Sequence, residues 1–325
     1  MVIASLATHL FTIYCYAQQP ERFAAFTIMP IWLWGGIGLG LSTIAFYFLR
    51  APLSLIMTAV WAVTLLVGAD EARVLANFGK NPPMRGEPIP HEGQPVLRIL
   101  TLNCASFRFG NPANEIAAWQ PDVVLLQEVY PFQTRQVADV LYAGMGDYRA
   151  QQASGVITRW KIEREIRDPA GTTQQITLRL PNGSTFEVVN LHLSSAPTDL
   201  RLWRKSAWTN HRLNRISRQK ELALVQQILE QTTAFPETPA IIGGDFNAPA
   251  SDVVHRQLSR DFEDAFASAG TGWGDTYQRR FPILRIDHIY ASRQFIPVRC
   301  RAVSVKSSDH RMVVADFVTN MLTAN

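Results

Sequence analysis

The sequence predicts a helical membrane region followed by one domain of the α/β or α+β class. Few charged residues precede Val96: five of the 31 Lys and Arg residues and five of the 27 Asp and Glu residues. The ten are Arg22, Arg50, Arg73, Lys80 and Arg85, with Glu21, Asp70, Glu71, Glu87 and Glu92. Two long charge-free runs also fall in this part, whereas short runs rich in Val, Ile and Leu, separated by turn residues, follow it.

The N-terminal third contains segments long enough to cross a lipid bilayer. Residues 23–49 carry no charged side chain and exceed the roughly 20 residues that a spanning helix needs. Arg50 and Pro52 interrupt the apolar sequence, after which residues 53–69 are again free of charge. Residues 2–17 are apolar but short, and they form either a third helix or an interfacial segment. We predict helices over about 2–17, 24–49 and 53–69, within a transmembrane region of residues 1–72.

The segments that flank the predicted spanning helices indicate how the chain is oriented in the membrane. A cleaved signal peptide is the alternative for the first helix, but the basic leading region of such signals is missing. The distribution of Lys and Arg leans towards a cytoplasmic position of the following domain, although a large domain can be translocated regardless of local charge, so the side stays open. Residues 73–95 contain five prolines and three glycines, which predicts a linker. The expected location is therefore a multi-pass protein of the cell membrane.

Residues 96–325 are predicted to form the second domain. Three helices are expected over 114–119, 132–141 and 215–232. The predicted strands are VLRILTLN (96–103), DVVLLQEV (122–129), STFEVVNLHL (184–193), PAIIGGDF (239–246), RIDHIYAS (285–292) and VVADF (313–317). Cys15, Cys104 and Cys300 are too few and too scattered for a disulfide framework or a zinc knuckle, and they are read as small buried side chains.

Polar residues occur at or just past the carboxyl ends of four of these strands. Asn103 ends the first, Glu128 the second and His192 the third, and Asp245 with Asn247 follows the fourth. A buried strand does not tolerate carboxylates and amides without partners. Each of these residues alone is typical of a turn or a cap. Together they predict one pocket, because strand ends that meet at the same edge of a sheet gather their side chains there.

An ordered set of short segments carries a family resemblance. The segments are TLN ending at Asn103, LLQE at Glu128, NLH at His192, GGDFN with Asp245 and Asn247, DAF at 264–266, TY at 276–277, RIDHIY with Asp287, and SSDH with Asp309 and His310. In this order and spacing, residues 96–318 resemble the endonuclease/exonuclease/phosphatase superfamily of DNase-like, metal-dependent phosphoesterases. The chain is similar to a membrane-anchored, bacterial-type member.

The resemblance implies a four-layered sandwich of two packed β-sheets flanked by helices, with the active site between the sheets. It also implies a Mg²⁺ or Mn²⁺ ion held mainly by Glu128, with Asn103 and Asp309 contributing directly or through water. Oxygen ligands and retained waters are what Mg²⁺ prefers. Zinc is disfavoured because no close group of His or Cys is visible. Whether one or two ions bind stays open.

The resemblance also implies catalytic roles. Asp287 would hydrogen-bond His310 and favour its imidazolium form, which donates to the scissile phosphate. Asp245 would orient the attacking water and accept its proton. Asn247, two residues along an extended backbone, would point the same way as Asp245. His192 would contact the phosphate.

Several other polar residues are predicted to have structural instead of catalytic roles. Asp264 is expected to orient a neighbouring loop, and His288 to pack on the strand face opposite Asp287. His211 and His255 are expected at the surface. The segment 199–220 interleaves seven basic residues with Trp203 and Trp208, which is typical of an anionic membrane surface, a nucleic-acid backbone or simply a solvated helix.

The sequence predicts the type of reaction but not the substrate. The predicted membrane region is the reason to rank some substrate classes above others. A tethered domain meets lipid-borne phosphates at high effective concentration, which favours a lipid-linked phosphodiester, phosphomonoester or pyrophosphate. A membrane-bound endonuclease or exonuclease is the alternative, with nucleic acid as the substrate. The alternative that is not an enzyme is an inactive membrane scaffold. The expected partners are the lipid bilayer and a phosphoester substrate, and no protein partner can be inferred.

Overall fold

Two packed β-sheets form the centre of the protein. The computed structural model describes residues 2–50, 52–75, 77, 84–168, 171, 173–194 and 200–322. Each sheet has six strands in mixed orientation, helices flank the sheets, and a helical region precedes them. The fold class predicted from the sequence is confirmed.

The N-terminal region contains five helices in its described part, α1 (Val2–Gln18), α2 (Ala24–Thr27), α3 (Ile31–Leu49), α4 (Leu53–Gly68) and α5 (Asp70–Leu75). Instead of one helix over 24–49, α2 and α3 are separate, and Pro30 is the N-cap of α3. Proline has no N–H to donate, which suits it to a helix start. In the described residues, only Ile31–Phe48 is long and apolar enough to cross a membrane. The apolar helix α4 is shorter, with 16 residues.

Helices α1, α3 and α4 pack together through polar contacts on their inner faces. The hydroxyls of Ser5 and Ser42 lie 2.9 Å apart, and the Trp61 indole N–H donates to Ser5 at 3.1 Å. His9 Nε2 and Thr64 Oγ1 lie 2.9 Å apart. Their outer faces expose large apolar side chains, among them Ile3, Leu10, Ile44, Tyr47, Phe48, Leu55, Ile56, Leu66 and Val67. Polar groups therefore face inwards and apolar groups outwards, an arrangement that suits an apolar surrounding.

The strands of the two sheets are β1 (Val96–Asn103), β2 (Val123–Gln127), β3 (Asp147–Ala150), β4 (Ser154–Thr158), β5 (Lys161–Arg167), β6 (Thr173–Arg179), β7 (Thr185–His192), β8 (Ala240–Asp245), β9 (Phe262–Asp264), β10 (Asp287–Ser292), β11 (Ile296–Ser304) and β12 (Arg311–Val318). The orders are β11-β12-β1-β2-β4-β3 and β5-β6-β7-β8-β10-β9. The helices between them are α6 (Ala113–Ala117), α7 (Pro131–Val140), α8 (Lys205–Thr232), α9 (Val253–Leu258) and α10 (Ala265–Ala269).

The six strands read from the sequence are confirmed as β1, β2, β7, β8, β10 and β12. They are the buried central strands, whose continuous apolar runs are easy to recognise. The sequence reading assigned none of the other six. β5, with the sequence KIEREIR, is a charged edge strand, β9 has three residues, and β11 contains Pro297 and a register shift. Helix α8 begins ten residues before the predicted start, at Lys205 instead of 215.

The sheet topology places several strand ends at one edge of the sandwich, here called the upper end. β1 and β2 run parallel, with Asn103 opposite Gln127, and β7 and β8 run parallel, with His192 opposite Asp245. The antiparallel strand β10 begins at this end, with Asp287 opposite Asp245. The strand β12 also begins there, directly after His310. Apolar side chains from both sheets, such as Ile99 and Ile241, fill the space below.

The N-terminal helices contact the second domain directly. Arg215 on α8 donates to Thr27 Oγ1 at 2.6 Å and to the carboxylate of Asp252 at 3.0 Å. Gln19 donates to the carbonyl of Ser251 at 2.6 Å. The described part of the predicted linker, 84–95, also packs on the domain, since Met84 is buried in its core and Gly86 accepts from Arg98. The two regions are therefore joined by more than the chain between them.

A buried ion-pair cluster near the lower end, opposite the upper one, should control stability. Arg98 donates to both carboxylate oxygens of Asp316, at 2.6 and 2.9 Å, and Arg299 donates to the same carboxylate at 2.9 Å. Asp316→Ala would leave two buried guanidinium groups without their carboxylate, a loss worth about 3–5 kcal/mol. We expect a clearly lower midpoint of thermal unfolding for the full chain in detergent.

The control is Asp139→Ala, which removes an exposed pair with Arg135 at 3.9 Å. Exposed pairs contribute about 0–1 kcal/mol, so the midpoint should hardly change. Equal losses in the two variants would contradict a special role for the buried cluster.

Candidate active site

The amide of Asn103 lies at the centre of the polar group at the upper end. Its Nδ2 donates to Glu128 Oε1 at 3.0 Å and to Asp245 Oδ2 at 2.9 Å, which links the two sheets. Its Oδ1 accepts from the backbone N–H of Ala105 at 3.0 Å, and this fixes the orientation of the amide. Two carboxylates are thereby held on either side of one donor.

A histidine–carboxylate pair lies beside this group. His310 Nδ1 is 2.9 Å from Asp287 Oδ2, and His310 Nε2 is 3.9 Å from Asp245 Oδ2. Both members are buried. Thr276 Oγ1 accepts from the backbone N–H of Asp287 at 3.2 Å and so holds the start of β10 in place. The imidazole is thus oriented by one carboxylate and faces a second one.

The charge state of His310 follows from these neighbours. Burial alone would lower the pKa of His310, but the carboxylates of Asp287 and Asp245 and the hydrogen bond to Asp287 outweigh it and raise the pKa above its ordinary value. The carboxylate of Asp309 adds to the same effect. The ring is therefore an imidazolium at neutral pH, with Nε2 available as a donor.

His192 closes the opposite side of the group. Its Nε2 lies 3.9 Å from Glu128 Oε1 and 3.9 Å from Asp245 Oδ2. The side chain of Glu128 is 40% exposed, whereas that of Asp245 is 2% exposed. Solvent therefore reaches the group on the side of Glu128 and His192.

Asn247 joins the site by a different route from the one expected. The backbone is not extended there, since Asn247 has a φ of 49°. Its N–H donates to Asp245 Oδ1 at 2.8 Å, and its side-chain amide donates to the carbonyl of Leu193 at 3.0 Å. The extended-strand argument is wrong, because the chain turns sharply after β8 and the amide ties this turn to the segment after β7.

Residues capable of holding a divalent cation are present. The half-exposed carboxylate of Glu128 and the carboxylate of Asp245 lie on either side of Asn103, and Asp309 is half-buried next to His310. These oxygens form the hard donor set that Mg²⁺ or Mn²⁺ prefers. Asp245, Asp287 and His310 also offer ligand atoms within 4.8 Å of one another. His310 is the weakest of these donors, because its Nδ1 is engaged by Asp287 and its imidazolium form carries no free lone pair.

This arrangement agrees with a sequence comparison. Residues 100–310 match the family model described as "Endonuclease/Exonuclease/phosphatase family". The chain belongs to the endonuclease/exonuclease/phosphatase family. Members of this family are hydrolases that act on phosphoesters. No curated protein sequence is significantly similar to the chain.

Solved structures share the family fold. An endonuclease/exonuclease/phosphatase family protein from Bacteroides thetaiotaomicron superposes with a TM-score of 0.56 at 17% identity, covering 70% of this chain and 99% of the other. A mannosyl-6-phosphatase from the same species has a TM-score of 0.55 at 18% identity and covers 68% and 99%. D. rerio TDP2 complexed with a single-strand DNA product has a TM-score of 0.53 at 17% identity and covers 69% and 99%.

Buried amides position the site from below, and the sequence reading assigned them no role. Gln127 Nε2 donates to Asn190 Oδ1 at 2.6 Å, which bridges the sheets directly beneath Glu128 and His192. Glu128 has a positive φ of 49°, a strained conformation that turns its side chain out of the strand path. At Gly244 a Cβ would lie 2.0 Å from the carbonyl oxygen of Leu191, so β8 approaches β7 closely just before Asp245.

Two histidine predictions are wrong. His211 and His255 are buried and not at the surface. The His255 ring lies 4.2 Å from that of His288, its Nδ1 is 2.9 Å from the Tyr290 hydroxyl, and its Nε2 is 3.1 Å from the carbonyl of Ala248. Burial lowers the pKa of His255 to about 3, so this ring is neutral. No local pattern marked His255, because its ring partners Tyr290 and His288 are distant in sequence and only Ala248 is near.

Asp264 makes structural contacts next to His288. Its carboxylate caps α10 by accepting from the N–H of Phe266 at 2.9 Å. It also accepts from Arg285 at 2.7 Å and lies 3.3 Å from His288 Nδ1. Although burial would raise the pKa of Asp264, Arg285 and His288 hold it well below its usual value. The residue therefore anchors the loop that leads to β10.

Proposed function

We propose that this protein is a Mg²⁺-dependent phosphoesterase held in a membrane, which hydrolyses a lipid-linked phosphate, phosphodiester or pyrophosphate. One observation carries the proposal: the Asp287–His310 pair faces Asp245, which shares Asn103 with Glu128. An oriented imidazolium, a general base and a cation-binding carboxylate are groups that together can catalyse phosphoester hydrolysis.

Each group has a distinct part in the reaction. Asp245 orients the attacking water and accepts its proton, and the hydrogen bonds from Asn103 and Asn247 hold its carboxylate in place. His310 donates from Nε2 to the phosphate as negative charge develops, while Asp287 stabilises its protonated form. His192 adds a donor around the same charge, whereas both N–H groups of Asn103 are already used by Glu128 and Asp245. Glu128 and Asp309 would hold the metal, which supplies electrostatic stabilisation of the phosphate when bound.

The proposal places the protein in a membrane through α1, α3 and α4. The apolar helix Ile31–Phe48 supports one span. The polar contacts inside the bundle and the apolar side chains outside it support a multi-pass arrangement with the shorter α1 and α4 as partners. A domain held against the bilayer meets lipid-borne phosphoesters at high effective concentration.

A nuclease is the second candidate. It is favoured by the exposed basic side chains at the upper end, such as Arg108, Arg204 and Arg280. The TDP2 complex with a DNA product shows that this fold can hold single-stranded DNA. A scaffold without activity is disfavoured, because the whole polar group is intact and hydrogen-bonded.

The test uses the full chain in detergent micelles or lipid nanodiscs. A nitrophenyl phosphodiester reports generic activity, and phosphatidic acid, a polyprenyl pyrophosphate and plasmid DNA are compared as substrates. We expect product release that stops with EDTA and returns with Mg²⁺, with faster turnover of a lipid substrate than of DNA. Nicking of plasmid in preference to lipid would favour the nuclease, and no metal-dependent release from any substrate would refute the enzymatic proposal.

A further inference from the structure

Exposed aromatic side chains are concentrated at the upper end of the domain. The loops at this end are called the rim. The rim consists of the described residues 104–112, 128–132, 151–153, 193–194, 200–204, 246–252, 270–286 and 305–310. In the described part of the domain from Val96 onwards, all six exposed aromatic side chains lie on the rim. They are Phe109, Tyr130, Phe132, Trp203, Trp273 and Phe281, and Trp203 and Phe281 are 81% and 79% exposed. These rings lie outside the hydrophobic core clusters, and their concentration at one end of the domain is typical of an interaction surface.

The charge on the rim is also one-sided. In its described residues, the exposed charged side chains are basic, and they are Arg108, Arg201, Arg204, Arg280 and Lys306. The acidic ones, including the catalytic carboxylates, are half-buried or buried. Aromatic rings interleaved with basic side chains are the composition of surfaces that lie in an anionic headgroup layer.

The membrane helices meet the domain at this same rim. The Trp273 ring contacts Trp32, in the first turn of α3, with ring centroids 6.1 Å apart. Leu200 and Leu202, in the loop that carries Trp203, pack with Ile28 and Met29 just before α3 begins. The rim therefore lies level with the end of the helix that is long enough to span a bilayer.

An apolar groove continues from the helices to the rim. It has a volume of about 450 Å³ and is lined by residues of α3, α4 and α5 together with Trp273, among them Trp32, Leu66 and Val74. Its walls join the lipid-facing surface of α4 to the loop that leads to Asp287. Apart from Glu71 the lining is apolar, so the groove can accommodate an acyl chain.

We propose that the rim is a membrane-contacting surface, lying in the anionic headgroup layer of the bilayer that holds α3, so that the active site opens towards lipid headgroups. The occupant is a lipid surface, recognised by aromatic rings at headgroup depth and by basic side chains. The further step, that the substrate phosphate belongs to such a headgroup, rests on the proposed function. Rim contact itself does not depend on catalysis.

Site-specific fluorescence tests the contact directly. The three native cysteines are buried, so a cysteine placed at position 281 can be labelled selectively. Phe281→Cys carries an environment-sensitive nitrobenzoxadiazole label, with the full chain in vesicles of phosphatidylcholine and phosphatidylglycerol. Met145→Cys is the matched control, because Met145 is 83% exposed at the lower end, just before β3. We expect a blue-shifted emission, quenched by spin-labelled lipids, at position 281 and neither effect at 145. No quenching at 281, or equal quenching at both positions, overturns the proposal.

Measurements of turnover distinguish membrane contact by the rim from catalysis at the active site. The readout is the ratio of phosphatidic acid hydrolysis in the same vesicles to hydrolysis of a soluble nitrophenyl phosphate ester. In Trp203→Ala/Phe281→Ala this ratio should fall by at least about tenfold, because the bilayer surface then delivers less substrate to the site. In Met145→Ala it should stay at the wild-type value. Quenching at 281 without any hydrolysis would sink the proposed function alone, whereas hydrolysis of both esters with an unchanged ratio and no quenching would sink the rim proposal alone.

Discussion

His310→Ala is expected to reduce turnover of every substrate by roughly a thousandfold, which is the scale of losing both a proton donor and a charge stabiliser. His310 is the one residue in the described site whose ring is fixed by one carboxylate, at 2.9 Å, and faces another, at 3.9 Å. Alanine removes the donor at Nε2 and leaves Asp245 and Asn103 in place. The measurement is the rate constant at saturating nitrophenyl phosphodiester and Mg²⁺.

The loss must be separated from misfolding, because Asp287 is buried and would lose its partner. Circular dichroism and the thermal midpoint of each purified variant give this check. The matched control is His91→Ala, at the lower end, where the hydrogen bonds to Gln94 are made by the backbone. A folded His310→Ala protein with near-normal turnover would refute the assigned role, and an equal loss in His91→Ala would show that the effect is unspecific.

The central strands could be predicted because they are buried on both faces. In β1, β2 and β8 every residue is buried, so apolar runs identify them without tertiary information. The strands at the sheet edges could not be predicted, since their side chains alternate irregularly between neighbours and solvent. β5 illustrates this, because Arg164 and Glu165 are ordered by cross-strand contacts with Thr177 and Gln174 that are invisible in the local sequence. The internal strand β4 was also missed although all of its residues are buried, because its sequence SGVIT holds only a short apolar run.

The site shows a similar division. The polar residues at strand ends were identified from position alone, since parallel strands deliver their ends to one edge. The residues that hold them were not. Gln127, Asn190 and His255 are buried polar groups that each have at least one partner 35 to 64 residues away, and only the fold reveals that they are satisfied. The same holds for the junction with the helices, where Arg215 reaches Thr27 across 188 residues. The proline-rich segment 73–95 suggested that the helices and the domain are separate. In the structure its described part packs on the domain, where Met84 is buried.

Metal dependence should be altered most strongly by Glu128→Gln. Glutamine keeps the size of the side chain and can still accept the hydrogen bond from Asn103 at 3.0 Å, but it removes the half-exposed negative charge beside Asp245. Mg²⁺ is bound by one or two carboxylates in such sites, so losing one should weaken binding by at least about 10–100-fold. We expect turnover at low Mg²⁺ to fall at least as far and to recover in part as the concentration is raised.

Calorimetric titration of Mg²⁺ into the full chain measures the binding without reference to activity. Glu237→Gln, an exposed change near the lower end, is the control and should bind and turn over like the wild type. If Glu128→Gln showed an unchanged Mg²⁺ titration, the cation would be held by Asp245, Asp287 and the adjoining carboxylate of Asp309 instead. The role of Glu128 would then be to orient Asn103, because the amide between the two carboxylates is the contact that would remain.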